Sequence, residues 1–118
     1  LCAEDMQTVG RVIDTMRAKG ISQLPVTSGG VLVGIVSEAD LMEYLGSGAG
    51  QASALVSKCM NRQVPVVGMP TPISTLQEML RQSNAAVVVD EHRKPLGIMT
   101  RIDLLDYLAH NVAASKKN

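Results

Sequence analysis

The spacing of apolar residues in the first part of the chain predicts a helix, two strands and a second helix. The first helix is indicated by four apolar residues with the i, i+3, i+4, i+7 spacing of one helical face: Val9, Val12, Ile13 and Met16. Gly20 is placed to end this helix. Two runs of β-forming residues, 23–27 and 31–36, predict strands joined by a Ser-Gly-Gly turn at residues 28–30. The next segment, residues 37–45, begins with a serine and predicts the second helix.

The same order of elements returns in the second half of the chain. The predicted helix, strand, turn, strand and helix lie at residues 73–80, 85–89, 90–94, 95–99 and 101–112. A short strand at residues 64–67 is expected ahead of this second copy. Between the copies, residues 46–52 are a linker rich in Gly, Ser and Ala, and residues 53–60 are predicted to form a short helix.

The two halves are copies of one unit. A shift of 63 positions, without a gap, aligns similar residues over about forty positions. The identical pairs include Met6 and Met69, Met16 and Met79, Val26 and Val89, Gly34 and Gly97, Asp40 and Asp103, and Tyr44 and Tyr107. A constant shift of this kind indicates an architecture built by stacking one supersecondary unit on its own copy.

One helix-strand-strand-helix unit is too small to cover both faces of its sheet together with both helices. Two stacked copies can do so, and a chain of 118 residues is too short for two independent cores. We therefore expect an α/β (α+β) fold in which two small sheets pack against each other with pseudo-two-fold symmetry. The first motif with its linker is expected at residues 1–52, and the second motif at residues 53–118.

Composition narrows the classes of function. Hydrophobic residues make up 46% of the chain, but there is no Trp or Phe, so the core must be aliphatic. The formal net charge is zero, and we expect no nucleic-acid partner because binding a phosphate backbone needs a basic surface. No apolar run approaches the roughly 18 residues of a membrane span, so no membrane insertion is expected. The chain begins with Leu1 rather than Met, so we expect a fragment of a longer protein.

The cysteines and histidines do not suggest a metal site. Cys2 and Cys59 are far apart and stand outside any Cys/His cluster, which fits neither a metal site nor a dense disulfide framework. Two reduced thiols in a cytoplasmic protein are the expectation. His92 and His110 are expected on the surface, and no metal or cofactor is expected in this module.

A hydroxyl and a carboxylate stand three residues apart at the start of a helix in each copy. These pairs are Ser37 with Asp40, and Thr100 with Asp103. A carboxylate can accept hydrogen bonds from both hydroxyls of a ribose, and a helix N-terminus favours a polar or anionic ligand group. The same spacing also nearly matches a capping box, whose role is only to stabilise the start of a helix. Duplication of the pattern favours ligand binding, and both roles can hold together.

Three segments carry a family resemblance. RAKGISQLPV at residues 17–26 and VGIVSEADL at residues 33–41 resemble the first motif of a CBS-domain pair, and LGIMTRIDL at residues 96–104 resembles the second. Residues 86–109 are similar to the C-terminal regulatory region of cystathionine β-synthase. The family resemblance covers nearly the whole chain. It implies paired clefts that bind adenosine-containing ligands, and frequent dimerisation through the motif helices.

The resemblance also implies which residues would hold the ligand. Because the second motif matches the family pattern better, Thr100 and Asp103 are favoured over Ser37 and Asp40 as the ribose site. Adenine would lie between aliphatic residues from the loop before the first helix and from the first strand of each motif. The candidates are Ile21 and Pro25 in the first motif, and Pro72, Ile73, Ala85 and Val87 in the second. Each of these also fits an ordinary core or strand position.

The copies differ where the tail of a ligand would lie. Arg101 in the second motif is suited to a phosphate or a carboxylate, whereas Glu38 in the first would repel phosphates but tolerate an ammonium or a sulfonium. Both also fit a solvated position in the first turn of a helix. Met42 and Met60 are candidates for a dimer face.

These features predict a regulatory module without catalysis. Binding of S-adenosylmethionine, or of AMP, ADP or ATP, would control an upstream domain of the same chain, such as a pyridoxal-phosphate-dependent cystathionine β-synthase. The alternative is a ligand-free structural module whose helices form a homodimer. A small enzyme is not supported, because the sequence contains no nucleophile–base constellation and no Gly-rich phosphate loop.

Overall fold

The computed structural model describes residues 1–48 and 50–116, with side chains described up to residue 110. The first half contains β1 (Ala3–Glu4), α1 (Val9–Lys19), β2 (Gln23–Ser28), β3 (Val31–Ser37) and α2 (Glu38–Gly46). A short 3-10 helix (Val56–Lys58) follows. The second half contains β4 (Val66–Val67), α3 (Ile73–Gln82), β5 (Ala85–Val89), β6 (Pro95–Thr100) and α4 (Arg101–Lys116). The predicted order of helix, strand, strand and helix is confirmed in both copies.

The ends of α1 follow from the residues that flank it. The Thr8 hydroxyl accepts a hydrogen bond from the backbone N–H of Arg11 at 3.2 Å, which satisfies one of the free donors at the helix start. Gly20 has a φ of 65°, and its N–H donates to the carbonyls of the last turn. Because L side chains are strained in this left-handed conformation, a glycine ends the helix at the predicted position.

The segments that precede the helices differ from the prediction. Strand β1 was not predicted, because two residues are too few to show an alternating pattern. It pairs in parallel with β2, and the buried Thr27 hydroxyl donates to the Ala3 carbonyl. The strand predicted at residues 64–67 is present as the two-residue β4.

The helix predicted at residues 53–60 is wrong in extent, since only one 3-10 turn forms there. The carbonyls of Ala52 and Ala54 accept hydrogen bonds from the first N–H groups of α1, those of Gly10 and Val9, at 2.9 and 2.8 Å. These bonds hold the linker against the start of α1 and supply partners that a helix N-terminus otherwise lacks.

Each motif forms a three-stranded sheet whose first strand pair is parallel and whose second pair is antiparallel, in the orders β1-β2-β3 and β4-β5-β6. The alignment of the two copies by a gapless shift of 63 positions is wrong by one residue for the middle strands, β2 and β5. Pro25 lies opposite Ile35 in the first sheet, whereas Val87, and not Val88, lies opposite Ile98 in the second. The connection from α3 to β5 is shorter by one residue than that from α1 to β2, and the longer β5–β6 turn restores the alignment.

The two sheets pack against each other, which confirms the expected stacking of the motifs. The buried contact between them consists of Leu32 and Ile35 from β3, and Val87 and Val89 from β5. Each motif also has its own core between its sheet and its helices. Met60, a candidate for a dimer face, is instead buried in the first of these cores because the linker folds back onto that motif.

Apart from the bonds made by residues 52–56, backbone hydrogen bonds in the described chain tie β3 to the second half at two points. Ile35 and Asn61 exchange N–H to carbonyl bonds of 2.9 and 2.7 Å, and the Leu32 N–H donates to the Arg93 carbonyl at 3.0 Å. Pro95 occupies the place of Leu32 in the second motif and has no N–H to donate. The second of these contacts therefore has no symmetric counterpart.

The predicted boundary after residue 52 stays a prediction. Val56 and Met60 follow it along the chain but pack in the core of the first motif. Within residues 1–48 and 50–116, no helix is long and apolar enough to cross a membrane.

We predict that alanine substitutions at the two equivalent glycines of the repeat have different effects. A Cβ at Gly34 would lie 2.8 Å from the Asn61 carbonyl oxygen and 2.9 Å from Met60 Sδ, whereas a Cβ at Gly97 would have no neighbour within 4 Å. Gly34→Ala should lower the free energy of unfolding by about 1–3 kcal/mol, through overpacking. Gly97→Ala should change it by less than about 0.5 kcal/mol. Urea unfolding followed by circular dichroism measures both values. Equal losses would contradict the finding that only Gly34 is closely approached by Asn61 and Met60.

Candidate functional site

Ser37 and Asp40 form a complete capping box at the start of α2. The Ser37 hydroxyl accepts from the Asp40 N–H at 3.2 Å, and Asp40 Oδ2 accepts from the Ser37 N–H at 3.0 Å. Each side chain thus satisfies a backbone donor that the helix leaves unpaired. The capping role weighed for this pair is therefore present in the structure.

Thr100 and Asp103 repeat the arrangement at the start of α4. Asp103 Oδ2 accepts from the Thr100 N–H at 2.9 Å and from the Thr100 hydroxyl at 2.8 Å. The Thr100 hydroxyl lies 3.4 Å from the Asp103 N–H, a longer bond than its counterpart in the first motif. In this second box the hydroxyl donates to the carboxylate, so the two side chains are bonded to each other.

The capping bonds do not use all the hydrogen-bond acceptor positions of either carboxylate. Both Asp40 and Asp103 cap through Oδ2, and in the described chain neither Oδ1 accepts a hydrogen bond. An ionised carboxylate has about four acceptor positions, so the second oxygen can accept from a ligand while the cap is kept. The structure thus allows both roles considered for the Ser/Thr-x-x-Asp pattern.

Ser37 and Asp40 line a cavity of about 560 Å³ between the two motifs, which we call cleft 1. The first motif contributes Ser22, Gln23 and Ile35, together with residues 37–40 at the start of α2. The second motif contributes residues 82–85, the connection from α3 into β5. The remaining wall is the segment that leads into β4, where Asn61, Gln63, Val64 and Pro65 face the cavity. Cleft 1 is therefore built by both motifs.

A second cavity, of about 240 Å³, lies at the equivalent place on the other side of the pair, and we call it cleft 2. Leu1 and Cys2 precede β1 there, as Val64 and Pro65 precede β4 in cleft 1. Ile21 and Pro25 form one wall, and residues 95–98 of β6 form the opposite wall. The wall from β6 is more exposed than its counterpart on β3, since Leu96 is 59% exposed.

The clefts combine the predicted site residues across the motifs, whereas the sequence analysis grouped them motif by motif. Cleft 1 brings Ala85 of the second motif to Ser37 and Asp40 of the first. Cleft 2 sets Ile21 and Pro25 of the first motif against β6 of the second. The reason is the face-to-face stacking of the sheets, which places the strand ends of one motif beside the loops of the other.

Three further candidates for the adenine site lie outside both clefts. Val87 is fully buried in the sheet-to-sheet contact. Ile73 packs partly buried against the second core. Pro72 is exposed, and its carbonyl accepts from the Thr75 and Leu76 N–H groups at the start of α3.

Arg101 has protein partners in place of a ligand phosphate. Its Nε donates to the Leu80 carbonyl at 2.6 Å, and its Nη2 donates to the Arg81 carbonyl at 3.2 Å. A cation is stabilised there by the carbonyls at the C-terminal end of α3. Glu38, its counterpart in the first motif, lines cleft 1.

Sequence reasoning missed most of the polar lining of cleft 1. Asn61, Gln63, Gln82, Ser83 and Asn84 all line the cavity, and none was among the site residues predicted from the sequence. The available signal was the polar connection at residues 82–84, which stands where the first motif has the apolar Ile21. Its meaning depends on the packing of one motif on the other.

Cys59 lies beside the carboxylate of Asp40, and both line a shallow pocket next to cleft 1. Burial, and then the negative charge of Asp40, raise the pKa of the Cys59 thiol, against a smaller opposing effect of its backbone hydrogen bond. The thiol therefore stays protonated at neutral pH, which makes it a poor nucleophile. In the described residues, no group of three or more His, Cys, Asp or Glu side chains is arranged to hold a metal ion.

Comparison with known proteins identifies relatives in sequence. Protein MJ1225 from Methanocaldococcus jannaschii is 31% identical over 111 residues, which are 83% of this chain and 40% of that protein. Protein MJ1404 from the same organism is 29% identical over 82 residues, which are 68% of this chain and 20% of that protein. The chain thus spans less than half the length of these curated relatives.

Solved structures show the same architecture. The crystal structure of MJ1225 superimposes with a TM-score of 0.80 at 28% identity, covering 92% of this chain and 44% of that chain. CBSX2 in complex with AMP gives 0.79 at 22% identity, covering 93% of this chain and 87% of that one. CbpB in complex with c-di-AMP gives 0.80 at 17% identity, covering 99% and 81%.

The family assignment rests on most of the chain. The model of the CBS domain matches it twice, at residues 1–47 and 56–110, and these matches coincide with the two structural repeats. The chain therefore belongs to the CBS-domain family and consists of a pair of CBS domains.

Proposed function

We propose that this pair of CBS domains is a regulatory sensor that binds an adenosine-containing ligand in cleft 1. The observation that carries the proposal is the position of Asp40. Its carboxylate caps α2 through one oxygen, and the residue lines a cavity of about 560 Å³ whose other wall belongs to the second motif. The second oxygen is then available to accept hydrogen bonds from the hydroxyls of a ribose.

The rest of cleft 1 suits an adenine ring. Ile35, Val64, Pro65 and Ala85 offer apolar surface for its faces. Asn61, Gln63 and Asn84 also line the cavity, and side-chain amides can donate to and accept from the edge of the ring. CBSX2 and CbpB, which share the fold, are described in complex with AMP and c-di-AMP, and both ligands contain adenosine.

Regulation would follow from the way cleft 1 is built. A ligand held there touches both motifs, so it stabilises the packing of the two halves that fits it best. Ligand binding can shift such an equilibrium only by its difference in affinity for the two arrangements. The resulting change would act on a domain attached to this module. The resemblance of residues 86–109 to cystathionine β-synthase makes a pyridoxal-phosphate-dependent domain one candidate, with S-adenosylmethionine as the effector.

A second candidate function, homodimerisation, is favoured by an apolar groove between α1 and α2. The groove has a volume of about 590 Å³, and its apolar lining consists of Ile13, Met16, Ile21, Leu41, Met42 and Leu45. Met42 lines this groove and is 75% exposed in the single chain, so its side chain is available for contact with a second copy. Dimerisation through these helices is compatible with ligand binding in cleft 1.

Asp40→Asn is expected to weaken adenosine binding at least about tenfold, because hydrogen bonds to a charged acceptor contribute roughly 1.5–3 kcal/mol. The asparagine oxygen can still accept from the Ser37 N–H, so the cap of α2 is largely kept. Isothermal titration calorimetry with adenosine measures the change.

Asp103→Asn is the matched control, because Asp103 makes the same kind of cap in the second motif. It should change adenosine affinity in cleft 1 by less than about twofold. The reverse pattern, with binding lost in Asp103→Asn and kept in Asp40→Asn, would transfer the site to the second motif. The absence of binding to the unsubstituted chain would contradict the sensor proposal.

Met42→Lys is expected to weaken a homodimer at least about tenfold, since it places a charge within the proposed apolar contact. Met6→Lys is the control, because Met6 is equally exposed, at 75%, and does not line the groove. Sedimentation equilibrium measures the dissociation constant of each variant. A monomeric unsubstituted chain, or equal effects of both substitutions, would contradict dimerisation through this groove.

A further inference from the structure

We infer that cleft 1 selects its ligand by charge, and that Glu38 is the residue that excludes phosphates. The cleft would accept neutral or cationic adenosine compounds and discriminate against adenine nucleotides. This inference rests on the proposed function, because it concerns the specificity of the same site.

The charges that line cleft 1 have one sign. Glu38 and Asp40 contribute two carboxylates, and no Lys or Arg lies among the described residues that line the cavity. Arg62 stands between two lining residues, Asn61 and Gln63, but does not itself line the cleft. No ion pair joins Glu38 to a basic side chain in the described part of the chain, so its charge is not compensated by a bonded partner.

The start of α2 does not offset this charge. A helix N-terminus attracts phosphates through its free N–H groups and through a partial charge of about +0.5. Here the Glu38 N–H donates to the Ser22 carbonyl at 3.0 Å, and the Asp40 N–H donates to the Ser37 hydroxyl. The two carboxylates in the first turn exceed the opposite partial charge of the helix end, so the local balance remains negative.

The second motif shows what a phosphate-compatible residue at this position would be. Arg101 occupies the place of Glu38 in the repeat, but its guanidinium is bonded to the carbonyls of Leu80 and Arg81. This arginine is thus held by the end of α3, beside residues 82–85 but outside the described lining of cleft 1. No Lys or Arg in that described lining would neutralise a phosphate that approaches Glu38.

The experiment compares pairs of ligands that differ mainly in charge. Adenosine and AMP differ by a phosphate, and S-adenosylmethionine and S-adenosylhomocysteine differ by a methyl group and the positive charge on sulfur. Binding of each to the chain is measured by isothermal titration calorimetry at low and at high salt. At low salt we expect adenosine to bind at least about fivefold more tightly than AMP, and S-adenosylmethionine at least about threefold more tightly than S-adenosylhomocysteine. High salt should reduce both affinity ratios, because it screens charges.

Glu38→Gln should reduce the ratio of the adenosine affinity to the AMP affinity at least about twofold. Glu38→Arg should reverse the preference, so that AMP binds more tightly than adenosine. Glu43→Gln is the control, because it removes the same charge from the same helix at a residue that does not line cleft 1. It should leave the ratio of the two affinities within about 1.5-fold.

The outcomes separate this inference from the proposed function. If AMP binds as tightly as adenosine, or if Glu38→Gln leaves the ratio unchanged, charge selection by Glu38 is wrong while the sensor function stands. If none of the four compounds binds the unsubstituted chain, the proposed function is wrong and the inference fails with it.

Discussion

Face-to-face packing of the two sheets is the contact on which both clefts depend. Neither three-stranded sheet can cover its own apolar face, so each uses the other as its second layer. The contact is made by four buried aliphatic side chains: Leu32, Ile35, Val87 and Val89. Each fully buried side chain of this kind contributes about 1.5–3 kcal/mol, so separating the motifs would cost a large part of the stability of a small domain. Two clefts at the flanks of this contact are its geometric consequence.

The pair departs from two-fold symmetry in the residues that line the two clefts. The backbone of Asn61 is hydrogen-bonded to Ile35 at the edge of β3. In the described part of the chain, the corresponding edge of β6 is more exposed. Polar Ser83 and Asn84 line cleft 1 where the corresponding connection gives apolar Ile21 to cleft 2, and the acidic Glu38 lines cleft 1 while its counterpart Arg101 is not in the described lining of either cleft. One cleft is therefore larger, more polar and acidic, and the other is smaller and mostly apolar. The two clefts therefore share one architecture but differ in the chemistry of their walls.

The repeat and the hydrophobic periodicity were sufficient to predict the fold. Apolar spacing in α1 and the glycine that ends it placed that helix correctly, and the duplicated pattern required two stacked sheets. Local pattern could not show the slip in register between β2 and β5, which depends on the lengths of the flanking connections. The sequence could also not show that Ala85 joins Ser37 and Asp40, because that grouping arises only when one motif packs on the other. The helix predicted at residues 53–60 was wrong in extent for a similar reason, since the backbone at Ala52 and Ala54 serves as the partner of the α1 N-terminus.

Charge and capping in the first turn of α2 were readable in the sequence, but their consequence was not. From the sequence alone, Ser37 and Asp40 could have served only as a capping box, and Glu38 could have been a solvated helix residue. The structure shows that they face a shared cavity and that two of the N–H groups there are already bonded. This combination turns a common helix start into a negatively charged wall of a nucleoside-sized cleft.

The most direct test of the account is to map where adenosine binds, by following the backbone amide resonances of the isotope-labelled chain during a titration. Binding in cleft 1 predicts the largest shifts at Ser37 and Asp40 in the first motif and, in the same titration, at Asn84 and Ala85 in the second. Shifts confined to the α1–α2 groove or to the start of α4, with residues 37–40 and 82–85 unchanged, would contradict a binding site formed by both motifs at cleft 1.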